Sequence, residues 1–153
     1  MNRARDVAFI VVGLLSVSSV VHAAAPVGRY AVSNGTVRDT KTGLNWQQAH
    51  VTNLTQQDAV AYCLGQGGGW RLPTVKELFT IYDLSASQDG SGTVFLDSAF
   101  QSVNYSDAFF WSSTVSAADP SRTAWEVFFG NWTFNVTTSS TSSDYKGSAR
   151  CVK

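Results

Sequence analysis

Along the chain the spacing of apolar side chains passes from continuous to alternating, then to helical, and back to alternating, and each change marks an element. Val7 to Val21 is an apolar run broken only by small residues. From Tyr30 the pattern shortens. Tyr30-Ala31-Val32-Ser33 and Thr36-Val37-Arg38 flank Asn34-Gly35, a pair suited to the positive φ angles of a two-residue hairpin turn. Thr40 to Gly43 reads as a second turn leading into a short extended piece with Leu44 and Trp46 on one face.

Two helices follow. Thr55-Gln56-Gln57-Asp58 has the form of a helix start, in which the Thr55 hydroxyl accepts a free backbone N–H and Asp58 suits the positive end. Val60, Cys63 and Leu64 continue at helical spacing until Gly65 and Gly67-Gly68-Gly69 stop the helix. Thr74-Val75-Lys76-Glu77 is a capping box, and Val75, Leu78, Phe79 and Tyr82 fall at i, i+3, i+4 and i+7 to make one apolar face. Asp83 to Asn104 has no period. It reads as a long excursion pinned to the core by Val94, Phe95, Leu96 and Phe100.

The last third is β. Phe109 to Ser113, Ala124 to Phe129, Trp132 to Val136 and Ala149 to Val152 are aromatic or β-branched runs separated by turns such as Asp119-Pro120-Ser121 and Gly130-Asn131. Thr137 to Ser143, nearly all Ser and Thr, reads as a flexible loop or turn. Segregated helix and strand patterns predict one α+β domain, with two helices on a small twisted antiparallel sheet.

Composition narrows the class. Eleven basic residues balance eleven acidic ones, so there is no field to hold a polyanion, and nucleic acid is not an expected partner. Nineteen aromatic residues exclude disorder, and the low charged fraction leaves Ser, Thr, Asn and Gln to make the polar surface. Arg3 and Arg5 before the apolar run, and Val21-His22-Ala23 after it, read as a secretory signal peptide over residues 1–23. The run is too short for a membrane helix, so no stable anchor is expected after cleavage, and residues 24–153 form the single mature domain. Cleavage removes Arg3, Arg5 and Asp6 and leaves nine basic against ten acidic residues. A secreted, periplasmic or cell-surface location follows, and in such a compartment Cys63 and Cys151 are most simply one disulfide.

Candidate chemistry is sparse. His50 is the only histidine left in the mature chain, no G-x-S-x-G elbow is present, and His50 reads as a solvated loop residue. The glycine run at 65–69 is separated from the next helix by Trp70-Arg71-Leu72-Pro73 and is a helix stop, not a phosphate cradle. Asp89 to Thr93, with Asp83 and Asp97, offers hard oxygen ligands without the spacing of an EF-hand, so calcium is not indicated and no cofactor or metal is expected. Glu77 and Glu126 are the carboxylates for an acid/base pair, but Glu77 belongs to the capping box and Glu126 alternates with inward Trp125 and Val127, which points it outward.

Several segments together resemble a known family. Gly35 to Asp39, Thr42 to Gln47, Ala61-Tyr62-Cys63, Gly69 to Leu78, Phe110 to Thr114, Ala124 to Phe128 and Ala149 to Val152 are similar, in this order, to the Lcl C-terminal domain family, named for a Legionella collagen-like adhesin. The resemblance implies a C-type lectin-like fold, related to the formylglycine-generating enzyme superfamily, in which a first-helix cysteine pairs with one in the last strand. The reactive cysteines of that enzyme family, the sugar-binding Glu-Pro-Asn of true C-type lectins and a collagen repeat are all missing from this sequence.

The expectation is therefore an exported, non-catalytic, adhesin-like recognition domain for an extracellular glycan or another surface macromolecule. A glycan-active enzyme with paired carboxylates and a structural envelope component are the alternatives. Trp132, whose face suits stacking on sugar C–H groups, is the foremost binding candidate, with Asn131, Arg122 and Lys146 supplying hydrogen bonds and charge. Its alternation with Phe134 and Val136 also permits a core position.

Overall fold

Asn34 and Gly35 adopt φ angles of 48° and 72°, which lets β1 (Tyr30–Ser33) return directly as β2 (Thr36–Asp39) with Ser33 opposite Thr36. β3 (Asn45–Gln47) pairs with the other edge of β2 and places Trp46 opposite Val37, both fully buried. The computed structural model describes residues 25–85, 94–130, 135–141 and 144–153. The expected signal peptide, Asn131, Trp132 and the oxygen-rich stretch Asp89 to Thr93 lie outside the described residues.

A second sheet holds five strands in the order β4 (Val51–Leu54), β8 (Gly147–Ala149), β5 (Phe109–Val115), β6 (Thr123–Phe128) and β7 (Asn135–Ser140). The architecture is thus mixed α and β with two sheets. It departs from the single antiparallel sheet expected, because β8 runs parallel to β5 while pairing antiparallel with β4. The Ser/Thr segment from Thr137 is a further correction. It forms most of β7, pairing residue by residue from Thr123 opposite Ser140 to Phe128 opposite Asn135. Ladder hydrogen bonds are main-chain bonds, so a polar, half-exposed Thr/Ser row forms an outer strand without apolar side chains.

α1 (Gln56–Gly65) starts where expected, with Thr55 Oγ1 accepting from the Asp58 N–H. Its end is sharp. Gly67, Gly68 and Gly69 take φ angles of 64°, 58° and 82°, a run of left-handed residues that only glycine tolerates cheaply. α2 (Val75–Thr80) has the full capping box, but it is shorter than the apolar period suggested: Tyr82 lies beyond the helix, in a bridge to Leu96. Val94, Leu96 and Phe100 are buried, so the excursion is anchored as expected, and a single 3-10 turn, Tyr105–Asp107, leads into β5.

Both faces of the five-stranded sheet are covered. Phe110 and Val127 face a core shared with Leu78, Ile81, Leu96, Phe129 and Trp46. The neighbouring Trp111 and Ala124 face Ala59 and Cys63 of α1, Leu72 and Cys151. This two-sided burial overturns the outward placement of Glu126. It does alternate with Trp125 and Val127, yet the face it reaches lies beneath Tyr145, and it is fully buried. The first and last strand pairings are drawn together. Val152 bridges both Trp46 and Arg71, and Asn45 and Lys153 exchange main-chain hydrogen bonds.

The capping box also carries an ion pair. Glu77 Oε1 and Oε2 accept from Arg71 Nη2 and Nη1 at 2.6 and 2.8 Å, and Oε2 also accepts from the Thr74 N–H at 2.8 Å. The Arg71 guanidinium, and after it the Thr74 donors, hold the Glu77 carboxyl down at about 2, with burial opposing them. A depressed folded pKa means the contribution is complete above the unfolded value near 4.5 and is lost as pH falls toward 2. Thermal melts from pH 6 to pH 2 should therefore show a Glu77-dependent fall in stability below pH 4.5 that Glu77→Gln removes. Parallel curves for the two proteins would refute it.

Candidate functional site

The turn between β5 and β6 is built by its own residues. Asp119 at the first position and Pro120 at the second suit a type I turn, and the Asp119 carbonyl accepts the N–H groups of Arg122 and Thr123 at 3.2 and 3.0 Å. Ser121 Oγ donates to Asp119 Oδ1 at 2.9 Å. The end of β7 is tied alongside by the Thr141 N–H donating to the Arg122 carbonyl at 2.8 Å. Between this turn, Ser140 and Thr141, and Gln57 of α1 lies an open groove of about 610 Å³. Its walls carry hydroxyls, an amide, the Asp119 carboxyl and the exposed Arg122 guanidinium.

Lys146 is elsewhere. It lines a smaller hollow of about 170 Å³ with Asn53, Asp107 and Ser148, and its Nζ stands 4.0 Å from Asp58 Oδ2. Arg122 and Lys146 thus do not share one concavity. Adjacent residues of α1 link the two, since Gln57 lines the first groove and Asp58 meets Lys146.

Beneath β7 is a polar network that the sequence pattern concealed. Glu126 Oε1 accepts from Ser139 Oγ at 2.7 Å and Tyr145 Oη at 2.8 Å, while Oε2 is buried with no protein partner. Burial pushes the Glu126 carboxyl up, against the two donors. Burial, followed by the hydrogen bond to Glu126, pushes the Tyr145 phenol up to about 12. Tyr145 packs edge-on against Trp111, whose Nε1 donates to the Leu54 carbonyl. The network fastens the segment before β8 to the sheet that carries the Arg122 groove.

His50 is half-buried, its ring 5.7 Å from Phe110 and its Nδ1 buried without a protein partner, so it is not the solvated loop residue expected. Burial first, and then the nearby Arg150 charge, lowers its pKa. Among the described residues no three of His, Cys, Asp and Glu gather as metal ligands, and no helix is long and apolar enough to cross a membrane. Cys63 and Cys151 are joined, with Cα atoms 5.4 Å apart, by the bridge that the two-cysteine count and the first-helix, last-strand placement anticipated.

The model of the Lcl C-terminal domain matches residues 35–153, from the β1–β2 turn to the last strand pairing and beyond. The chain belongs to the Lcl C-terminal domain family. No curated protein and no solved structure matches it. Within this Lcl C-terminal domain the most recognisable sequence segments are structural. Trp70 to Leu78 leads from the glycine stop to the Arg71–Glu77 clamp, and Ala149 to Val152 carries the disulfide and the strand closure. The groove residues Gln57 and Thr123 gave no signal in sequence, because an isolated Gln or Thr looks the same on any surface.

Proposed function

We propose that this Lcl C-terminal domain is an exported, non-catalytic recognition module with a C-type lectin-like arrangement, and that its groove at the β5–β6 turn binds a carbohydrate or another surface macromolecule. The observation that carries this reading is the chemistry of the groove. It is open and polar, rich in neutral hydroxyl and amide groups that exchange hydrogen bonds with a polyhydroxylated ligand, and it holds one guanidinium for orientation. It is formed by turns at the end of a rigid sheet, where recognition loops are commonly placed. The closed chain ends and the bridge between α1 and the last strand pairing support the lectin-like arrangement.

The two carboxylates offered for catalysis support a non-catalytic reading. Glu77 is engaged by Arg71 and Thr74, Glu126 is sealed, and neither lines the Arg122 groove. Glycan-array screening of the mature protein tests the proposal directly. Binding is expected, with Arg122→Ala weakening it about tenfold, the loss of roughly one charge-assisted hydrogen bond, while the melting temperature stays within about 2 °C. Trp132→Ala in the same assay tests the stacking role assigned to that ring. A silent array, or release of shortened glycan by the wild-type protein, would overturn the reading.

A further inference from the structure

Two opposite charges line the groove at the β5–β6 turn, those of Asp119 and Arg122, and among the described residues neither forms an ion pair. The Asp119 carboxylate is held in place. Its main-chain carbonyl accepts from the Arg122 and Thr123 N–H groups and from Thr123 Oγ1 at 3.0 Å, which fixes the backbone. Oδ1 accepts from Ser121 Oγ at 2.9 Å, which fixes the side chain, and among the described residues no donor reaches Oδ2. A hydroxyl that has given its proton away keeps its lone pairs. Ser121 Oγ and Asp119 Oδ2 therefore make one end of the groove at which a ligand has to donate. Arg122 makes the opposite end, since a guanidinium presents donors and no acceptor. The lining holds no aromatic or large aliphatic side chain, so the ligand it suits is polar throughout.

The donating end decides between classes of glycan. A sugar hydroxyl has a proton to give to Asp119 Oδ2. A sulfate or uronate oxygen has none at neutral pH, and it meets a carboxylate with one guanidinium to offset the repulsion. The wider field does not help such an anion. Asp58 follows Gln57 on the α1 wall, Lys146 stands against Asp58 and lines the other hollow, and eleven basic residues balance eleven acidic ones along the chain. We propose that the groove selects neutral glycans and turns away sulfated or acidic ones, with Asp119 as the residue that sets this choice. The inference rests on the carbohydrate reading under Proposed function. Hydroxyls both donate and accept, so a neutral sugar answers the Asp119 end and the Arg122 end alike, through bonds that the two charges strengthen.

The test uses a glycan array on which neutral oligosaccharides stand beside their sulfated and uronate-bearing counterparts. The wild-type protein should bind neutral members, and bind the charged counterpart of each about tenfold more weakly. Binding to the neutral members should change by less than about twofold between about 50 and about 500 mM sodium chloride, because no counterions are released and no long-range attraction is screened. Asp119→Asn keeps the acceptor for Ser121 and a residue suited to the turn, but loses the charge. It should bind the neutral members about tenfold more weakly and their charged counterparts more tightly. Damage to the turn alone weakens both. The array comparison and the salt series need only the wild-type protein and stand even where Asp119→Asn does not fold. Equal or stronger binding to the charged members, with a steep loss in salt, overturns the neutral selection and leaves the recognition reading intact. An Asp119→Asn protein that keeps the wild-type ratio between neutral and charged members overturns the role of Asp119. A silent array overturns both this inference and the reading on which it rests.

Discussion

Replacing Cys63 and Cys151 together by Ala is expected to lower the melting temperature by about 10 to 20 °C, because a bridge spanning this much chain contributes about 3 to 5 kcal/mol. The two residues are 88 positions apart and fully buried, one on α1 and one beside the last strand. Opening the bridge therefore frees a loop of 88 positions in the unfolded ensemble, and the entropy that ensemble gains lowers stability. Both sulfur atoms sit among Ala59, Leu72, Trp111 and Ala149, where Ala is tolerated without an orphaned polar group. Melts of the double variant, and of the wild type with and without a reductant, measure the effect. A difference under about 3 °C would show that packing alone fixes α1 against the sheet.

The second large effect is expected at Arg150. Its side chain is fully buried. Nη1 donates to the carbonyls of Gln47 and Gln48, Nη2 donates to that of Gln101, and the guanidinium lies 4.9 Å from the Phe100 ring centroid and 5.7 Å from that of Phe110. Burial pulls its pKa below the ordinary value, and the three carbonyl acceptors take the place of a counter-carboxylate. Arg150→Ala leaves those carbonyls unpaired beside a cavity and should cost about 3 to 5 kcal/mol in urea unfolding. Arg150→Lys should recover little of it, since one ammonium does not span acceptors on both the Gln47–Gln48 segment and Gln101. A loss under about 1 kcal/mol in Arg150→Ala would disprove the clamp.

Local chemistry made much of this fold legible. Asn34-Gly35, the Thr55 cap, the Thr74–Glu77 box and the aromatic runs of β5 and β6 are each dictated within a few residues, and each appears where the sequence placed it. Long-range placement was not legible. Nothing near Glu126 tells that both faces of its sheet are covered, and nothing in Thr137 to Ser140 tells that β6 waits beside them. Arg150 shows the same limit: nothing beside Ala149 and Cys151 marks the carbonyls of Gln47, Gln48 and Gln101 that folding brings against it. The candidate site was legible in part. Arg122 stands at the Asp-Pro turn that the sequence marks and lines the groove, Lys146 lines another hollow, and Gln57 joins Ser140 and Thr141 only through folding.

Residues 147–152 insert a strand between β4 and β5, bring the second cysteine to α1, set the Arg150 clamp and pair Val152 with Trp46 and Arg71. Every one of these partners lies at least 30 residues earlier. A chain synthesised from its amino end therefore has no complete five-stranded sheet, no bridge and no clamp until residues 147–152 are made, and contacts of such long range form slowly. Under the export proposed above, that order of events would keep the polypeptide able to enter a membrane pore and would defer closure to the far side.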